Sequence, residues 1–496
     1  MSNVIQKLTI IHLQSKSACL VYFMCSVYIQ NMPTLEEKEL EVLRAAVDKA
    51  EERAGKKLTH SDEVKEIISI VESFLREKKL ICYGGTAINN ILPEQDQFYN
   101  KDVEIPDYDF FSHSALADAK RLADIYAKKG YTDVEAKSGV HHGTFKVFVN
   151  FIPVADITYI PKELFKAIQR EAIRVDGILY APPDYLRMAM FLELSRPKGD
   201  VSRWEKVLKR LTLLNKNYKM KNPRCNHIDF MRGFEGSKED SRDIYETVKS
   251  SAIDQGLVFF GGYASELYSR YMPKRDKLKF QTKSPDFDIL SLDPERSSNI
   301  IKERLQDEGF HNVKIHKHKA FGEIIAPHYD ITVGDDTVAF IYEPLACHSY
   351  NVIRIKGKKV KVATLDTMLS FYLAFLYANR AYYDHDRIYC MSQYLFLVQS
   401  RNRLQQKGVL KRFSLQCIGT QPTLEDMRNE KSKKYEELKG KKGTKEYDEW
   451  FLRYAPGEKN KKKNEKEKSK KKKTRGKKAR KSKRKTRRNK KGIFGF

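Results

Sequence analysis

An internal repeat constrains the fold of this 496-residue chain more than any other feature. Residues 61–79 have the apolar spacing of a helix, and they are followed by the apolar run 80–83 and by Gly84-Gly85. Residues 241–262 show the same order, with a helical pattern, an apolar run at 257–260 and a second Gly-Gly pair. A repeat on this scale predicts two domains of one fold in tandem.

An acidic pair follows each glycine pair at nearly the same distance. Asp107 and Asp109 lie in the segment PDYDFF, and Asp286 and Asp288 lie in PDFDIL. The offset from the first glycine to the first aspartate is 23 residues in one copy and 25 in the other. A single acidic pair at i and i+2 arises easily by chance in a chain with 65 acidic residues, but the ordered combination occurs twice.

A third aspartate follows each pair in another apolar segment, as VADITY in the first copy and YDITV in the second. Side chains at i and i+2 of a strand point to the same side, so the first pair can aim at one site that Asp156 joins from a neighbouring strand. Three clustered carboxylates stay ionised only with a cation, and hard oxygen ligands select Mg²⁺ or Mn²⁺. The predicted catalytic and metal-binding residues are Asp107, Asp109 and Asp156, and the predicted degenerate second site is Asp286, Asp288 and Asp330.

The first glycine pair indicates a phosphate site. Glycines let the backbone approach a ligand closely, and the residues after them read as a helix N-terminus. The residues predicted to bind the phosphates of a triphosphate are Gly84, Gly85, Thr86 and Asn89. In the second copy Tyr263 and Glu266 replace the last two, which places a bulky ring and an acid where a triphosphate would sit and predicts that it is excluded. Together these parts are typical of two-metal phosphoryl transfer.

Four segments carry a family resemblance: CYGGTAINN, PDYDFF, VADITY and RPKGDVSRWEKVLKRL. They resemble the poly(A) polymerase catalytic subunits of poxviruses and giant viruses, within the polymerase-beta-like nucleotidyltransferases, over residues 60–400. The resemblance implies an α+β fold with two tandem nucleotidyltransferase-like domains, each a mixed sheet flanked by helices, with helical linkers.

The resemblance also implies an activity: AMP addition from ATP to an RNA 3′ end with Mg²⁺ or Mn²⁺, serving viral mRNA in the virion and the host cytoplasm. Two other interpretations stay open. One is a related enzyme with another product, such as a CCA-adding or oligoadenylate-forming enzyme, and the other is a non-catalytic RNA-binding scaffold. A homodimer and a separate processivity subunit are both compatible with the sequence, and no membrane association is expected.

Charge is concentrated at the C-terminus. The chain carries a net charge of +28, and residues 459–491 hold 22 Lys or Arg against 2 Glu. Such a run repels itself and cannot form a core, so it is expected to be disordered and to bind a polyanion, with solubilisation or nuclear import as the alternative. Upstream, Arg203 and Lys206 lie on a basic amphipathic segment, where phosphate contact and a solvated face are equally compatible.

These observations give a division of the chain. Residues 32–220 are expected to form the catalytic domain and 432–496 a basic, disordered tail. Residues 221–431 are expected to form the second domain, which the family resemblance implies is architectural or binds RNA. Residues 1–31 contain an apolar run too short to cross a bilayer, and they are interpreted as a flexible segment or an extension from a misassigned start. The seven cysteines are scattered without a C-x-x-C pair, so neither disulfides nor a zinc site are expected.

Overall fold

The computed structural model describes residues 35–59, 61–100, 102–226, 228, 230, 238–277 and 287–456. The predictions for residues 1–31, for Asp286 and for the polybasic run therefore lie outside the described residues. The chain divides into two compact units.

The smaller unit contains the described residues up to Lys65 together with Asn100–Ile105. Its main element is helix α1, Leu35–Thr59. At the end of this helix the Thr59 hydroxyl donates a hydrogen bond of 2.5 Å to the Asp102 carbonyl. Near it, Gly55 lies against Val103, where a larger side chain would collide.

The larger unit contains both sheets of the molecule. Helix α2, Asp62–Lys78, leads into the first of them. Its strands are β1 Ile81–Cys82, β2 Tyr108–Ser112, β3 Val134–Ser138, β4 Thr144–Val149, β5 Ile152–Tyr159, β6 Ile173–Val175 and β7 Ile178–Tyr180. The associated helices are α3 Gly84–Ile91, α4 Ala115–Lys128, α5 Lys162–Arg170, α6 Pro183–Leu194 and α7 Trp204–Asn217.

The second sheet follows after helix α8, Lys238–Asp254. Its strands are β8 Val258–Phe259, β9 Phe287–Leu290, β10 Val313–His318, β11 His328–Val333, β12 Asp336–Tyr342, β13 His348–Ile355, β14 Lys358–Ala363 and β15 Cys417–Ile418. Its helices are α9 Gly262–Ser269, α10 Lys274–Lys277, α11 Pro294–Asp307, α12 Leu365–Phe375 and α13 His385–Arg401.

The two sheets share one strand order, which confirms the predicted duplication. The first runs β3-β4-β5-β2-β1-β7-β6, and the second runs β10-β11-β12-β9-β8-β14-β13. In each, the second and third strands of the series pair antiparallel, while the third and fourth pair parallel. The fold is therefore a mixed α+β arrangement with helices against both sheets, as expected from the sequence.

Strand β4 shows how side chains are sorted between the two faces of the first sheet. Phe145, Val147 and Val149 are buried, on the face against which helix α4 packs. The alternate residues Lys146 and Phe148 are partly exposed on the opposite face. This opposite face, which we call the open face, carries the polar residues discussed below.

Residues 432–456 are more ordered than their charge predicts. Helices α14, Leu424–Leu438, and α15, Lys445–Phe451, lead to strand β16, Arg453–Tyr454, which pairs antiparallel with the edge strand β3. Leu438 and Leu452 are buried, and the Trp450 ring lies 4.2 Å from the His142 ring. The expected disordered tail from residue 432 is therefore wrong for residues 432–456, which we call the C-terminal strap.

Four cysteines form disulfides, which the scattered sequence positions did not predict. Cys225 pairs with Cys390 and Cys347 pairs with Cys417, across 165 and 70 residues respectively. The partners are brought together only by the tertiary fold, so no local spacing could indicate them. None of the helices in the described part of the chain combines the length and the apolar composition that a bilayer crossing requires.

Candidate functional site

The Gly84-Gly85 turn lies directly against the acidic pair of the first sheet. Helix α3 begins at Gly84, whose φ of 74° lies in the left-handed region. A β-carbon at this residue would stand 2.6 Å from Asp109 Oδ2. Both the backbone conformation and the close approach therefore require glycine at this position.

The first sheet brings the three predicted carboxylates together. Asp109 on β2 and Asp156 on β5 are direct partners in the parallel register, and Asp107 comes just before β2. Tyr108 between the acidic pair is buried, and its hydroxyl donates to Glu72 Oε1 at 2.7 Å. The alternation predicted from the sequence therefore holds, with two carboxylates on one side and an aromatic ring in the core.

Burial and repulsion between the carboxylates disfavour the charged forms of Asp109 and Asp107. Burial, followed by repulsion from Asp107 and Asp156, raises the pKa of Asp109 to about 7. Burial and the charge of Asp156 also raise the pKa of Asp107. The positive charges of Lys146 and Arg203 oppose the shift at Asp109. Such a cluster is costly to ionise without a cation.

Lys146 is a member of the site that the sequence did not reveal. It lies opposite Asp156 in the antiparallel β4/β5 pairing, and its ammonium group forms a short ion pair with Asp156 Oδ2. The strand pattern placed this lysine on an ordinary half-exposed position, so only the register between β4 and β5 identifies it.

The carboxylates have the chemistry of a divalent-cation site. Asp156 Oδ1 is buried, and no hydrogen-bond donor among the described residues reaches it. Across the same residues, no group of three or more His, Cys, Asp or Glu side chains stands close enough together to hold a metal ion. Hard carboxylate oxygens with one unsatisfied acceptor fit Mg²⁺ or Mn²⁺, which complete their shell with water and substrate phosphates.

Thr86 and Asn89 have partners within the protein. The Thr86 hydroxyl donates to the Asp107 carbonyl at 2.7 Å, so it fixes the acidic segment against helix α3. Asn89 is buried, and its Oδ1 accepts from the backbone N–H groups of Phe98 and Tyr99. The structure therefore gives these two residues positioning contacts, where the sequence suggested direct contact with phosphate.

Arg210 is a second residue that the sequence did not single out. A β-carbon on Gly85 would stand 3.0 Å from Arg210 Nη1, so the guanidinium group lies beside the glycine turn. Its Nη2 donates to the Tyr99 hydroxyl at 2.7 Å, and its guanidinium carbon lies 4.9 Å from the Phe98 ring centroid. A held cation next to a glycine turn is suited to binding a phosphate group.

The two basic residues that the sequence did predict to contact phosphate, Arg203 and Lys206, lie a few residues before Arg210 in the chain. Arg203, just before α7, forms an ion pair of 3.2 Å with Glu193 and lies close enough to Asp109 to lower its pKa. Lys206 is exposed on α7. Their predicted phosphate contacts remain predictions.

The second sheet lacks the third carboxylate. Asp288 on β9 pairs in parallel register with Phe340 on β12, and this pair corresponds to Asp109 and Asp156 in the first sheet. Asp330 lies one strand further out, on β11, where it corresponds to Lys146. The sequence assignment of Asp330 as the counterpart of Asp156 is therefore wrong.

Asp330 has a different environment from the first-sheet aspartates. Its Oδ1 lies 3.1 Å from His316 Nδ1 and 3.2 Å from His318 Nε2, both on β10. Beside it, Phe340 places an apolar ring where the first sheet has Asp156. Within the part of the chain that the structure describes, the second sheet therefore does not place a carboxylate next to Asp288 as the first sheet places Asp156 next to Asp109.

The predicted steric block by Tyr263 is also wrong. Its ring is buried, and it packs on Phe259, Phe287 and Tyr245 in the core. Burial raises the pKa of Glu266, and the charges of Arg270 and Lys249 oppose that shift. The contrast between the two sheets rests on Phe340, since the Tyr263 ring points into the core.

Comparisons with known proteins agree with this arrangement. Residues 69–200 match the family model for the poly(A) polymerase catalytic subunit. A protein of Acanthamoeba polyphaga mimivirus assigned as such a subunit is 31% identical over 188 residues, which are 37% of this chain and 31% of that protein. A protein of African swine fever virus with the same assignment is 34% identical over 171 residues, 33% of this chain and 36% of its own. The matched segment thus spans about a third of the length of these curated relatives.

A solved structure extends the likeness to most of the chain. The crystal structure of the Megavirus polyadenylate synthase aligns with a TM-score of 0.71 and 20% sequence identity, covering 86% of this chain and 87% of that one. The chain therefore has the fold of the Megavirus polyadenylate synthase, and its residues 69–200, which include all three first-sheet carboxylates, match the poly(A) polymerase catalytic subunit family as the sequence motifs predicted.

Proposed function

We propose that the chain is a template-independent polynucleotide adenylyltransferase that adds AMP from ATP to the 3′ end of viral mRNA. The observation that carries this proposal is the direct pairing of Asp109 with Asp156, with Asp107 and the Gly84-Gly85 turn beside them. The match of residues 69–200 to the poly(A) polymerase catalytic subunit family supports adenylate as the transferred group.

In the proposed reaction the RNA 3′ oxygen forms a bond to the α-phosphorus of ATP while the bond from this phosphorus to the β-phosphate oxygen breaks. Pyrophosphate leaves, and the hydroxyl proton passes to solvent or to a carboxylate of the site. Because no base pairing to a template is involved, the protein must supply positioning and charge stabilisation.

The site residues divide this work. Asp107, Asp109 and Asp156 would hold Mg²⁺ or Mn²⁺, which supply activation of the 3′ hydroxyl and neutralisation of the triphosphate. The Gly84-Gly85 turn lets the backbone approach the triphosphate, and Arg210 presents a fixed positive charge beside it. Thr86 holds the acidic segment in place through the Asp107 carbonyl.

A nucleotide-specific extension assay tests the proposal. The purified full chain is incubated with a short single-stranded RNA, Mn²⁺ and one labelled nucleoside triphosphate at a time, and products are resolved by length. We expect long extension with ATP and little with CTP, GTP or UTP. A matched reaction with the Asp109→Ala variant controls for contaminating polymerases.

The other outcomes separate the alternatives. Addition of a short defined sequence from CTP and ATP would indicate a CCA-adding enzyme, and products made from ATP without RNA would indicate oligoadenylate synthesis. No extension with any nucleotide, despite RNA binding, would overturn the enzymatic proposal in favour of a scaffold.

The setting of the reaction belongs to the same proposal. The curated relatives come from mimivirus and African swine fever virus, and we extend the proposal to the virion and the host cytoplasm. A homodimer or a processivity subunit would add to the RNA-binding surface without changing the site. Fractionation of infected cells and of purified particles with an antibody to the chain tests the location.

A further inference from the structure

A row of basic side chains crosses the first sheet and ends at the carboxylates. Arg453 on β16 pairs with Lys137 on β3, Lys137 pairs with Lys146 on β4, and Lys146 pairs with Asp156 on β5. We call Arg453, Lys137 and Lys146 the basic row. Directly paired residues of neighbouring strands point to the same face of a sheet, so the row continues in line to Asp156 and Asp109.

The basic row lies on the open face of the sheet. Side chains alternate between the two faces along β3. Val134 and Ala136 are buried on the face against which helix α4 packs, and Lys137 lies on the opposite face. The Arg453 side chain is 86% exposed, and those of Lys137 and Lys146 are 40% and 38% exposed. A phosphate backbone can therefore reach all three cations.

The row has a definite length and direction. Neighbouring strands lie about 4.8 Å apart, so the three steps from Asp156 to Arg453 span about 14 Å. The basic row begins at Lys146, next to the Asp156 carboxylate that pairs with Asp109, and it ends at Arg453 in the C-terminal strap. In the sequence, the polybasic run starts six residues after Arg453.

An aromatic side chain accompanies the cations. Lys137 Nζ lies 4.0 Å from the centroid of the partly exposed Phe148 ring on the same face. Cations combined with an aromatic ring are typical of surfaces that bind single-stranded nucleic acid without sequence preference.

Glu135 is the acidic counterpart of this surface. Its carboxylate lies 3.8 Å from both Lys137 Nζ and Arg453 Nε. Exposed ion pairs of this length are weak, so an RNA phosphate can replace the Glu135 carboxylate at little cost. On this surface Glu135 would therefore weaken the binding of an RNA phosphate without preventing it.

We propose that the RNA acceptor lies across the first sheet along the basic row, with its 3′ end at Asp156 and its upstream nucleotides over Lys137 and Arg453. The inference deepens the proposed function, on which the word acceptor rests, and it assigns an entry side to the RNA. The C-terminal strap contributes to the path because β16 supplies Arg453.

The double variant Lys137→Ala with Arg453→Ala tests the path in the full chain. Binding of a 5′-labelled single-stranded RNA is measured by fluorescence anisotropy over a range of salt concentrations. We expect affinity at about 0.1 M salt to fall about tenfold, and the salt slope of log K to shrink by about 1.4, at about 0.7 per lost phosphate contact. The KM for RNA should rise while kcat at saturating RNA is retained, because neither residue touches the reacting atoms.

A matched control has the same loss of charge on the other face. Lys128→Ala with Lys129→Ala lies at the exposed end of α4, the helix that packs on the buried face. This variant should leave the salt slope and the KM for RNA unchanged. The charge-preserving variant Lys137→Arg with Arg453→Lys should bind RNA as the wild type does, which excludes loss of folding as the cause.

Glu135→Gln gives a prediction of opposite sign. Removing this carboxylate frees Lys137 and Arg453 for phosphate, so RNA affinity should increase severalfold. Unchanged RNA binding in both the double alanine variant and Glu135→Gln would overturn the proposed path and would leave the row to an acidic protein surface.

The two proposals fail in different ways. If RNA binding depends on the basic row but no nucleotide is added, the path stands and the polymerase assignment falls. If adenylate is added normally and neither RNA affinity nor its KM depends on the row, the polymerase stands and the path is wrong.

Discussion

Asp109 lies where burial, Asp107 and Asp156 all disfavour its charge, and these effects raise its pKa to about 7. An aspartate in an unfolded chain titrates near about 3.9. The folded protein therefore binds the Asp109 proton more tightly than the unfolded chain does. This contribution to stability is complete below about pH 3.9 and is lost as the pH rises through about 7.

We predict from this that Asp109→Asn stabilises the metal-free protein at high pH only. The amide cannot ionise, so the variant should melt a few degrees above the wild type at pH 8 in EDTA. A shift of this size corresponds to a difference of a few kcal/mol in the free energy of unfolding. At pH 4 the two melting temperatures should agree. Saturating Mn²⁺ should remove the advantage, because the wild type gains a ligand that the variant binds weakly. An equal shift at both pH values would show that Asp109 ionisation is not the cause.

Arg210 gives a prediction about the nucleotide. Its guanidinium lies beside Gly85 and is held by Tyr99 and Phe98, so Arg210→Ala removes a positioned charge from the expected triphosphate side. We expect the KM for ATP to rise about tenfold or more, with a smaller change in the KM for RNA. Lys209→Ala, on the same helix but exposed and paired with Glu205, is the matched control. An unchanged KM for ATP in Arg210→Ala would remove it from the site.

At the scale of elements, the sequence predicted the parts of the first site but not every strand position. The order of helix, apolar strand, glycine pair and acidic pair correctly indicated β1, α3 and β2, because each of these has a strong local pattern. Asp330 was misplaced because VADITY and YDITV have the same strand pattern, and a period of two carries no information about which strand lies beside which. Only the register shows that Phe340 faces Asp288.

The side-chain partners were similarly invisible to local patterns. Lys146 and Asp156 are ten residues apart on neighbouring strands, and Arg210 is separated from Gly85 by more than a hundred residues. The C-terminal strap was also not predicted, because its sequence is mostly charged and only a few of its residues are apolar. Leu438 and Leu452 are buried, while the surrounding lysines and glutamates form exposed ion pairs.

At the scale of the whole molecule, the two copies of the fold carry different side chains at three corresponding strand positions. In the first sheet these positions hold Lys146, Asp156 and Asp109, and in the second they hold Asp330, Phe340 and Asp288. Strand β4 carries Lys146 in the first sheet, and the corresponding strand β11 carries Asp330 in the second. The strand order has been retained in both copies, while among the described residues the first sheet pairs Asp109 with a second aspartate and the second sheet pairs Asp288 with Phe340.

The C-terminal strap adds to this asymmetry. It extends the first sheet by one strand, and contacts such as the 2.6 Å ion pair between Lys120 and Asp448 hold it there. The sequence that follows β16 contains the polybasic run. The paired carboxylates and the strap both belong to the first sheet, where the proposed chemistry would take place.

A comparison of turnover numbers tests this assignment most directly. The kcat for AMP addition at saturating ATP and RNA is measured for Asp109→Ala and for the double variant Asp286→Ala with Asp288→Ala. We predict a loss on the order of a thousandfold or more for the first and a change within about threefold for the second, because Phe340 leaves the second sheet without a third carboxylate. A loss in the double variant as deep as that of Asp109→Ala, or near wild-type turnover by Asp109→Ala, would contradict the account.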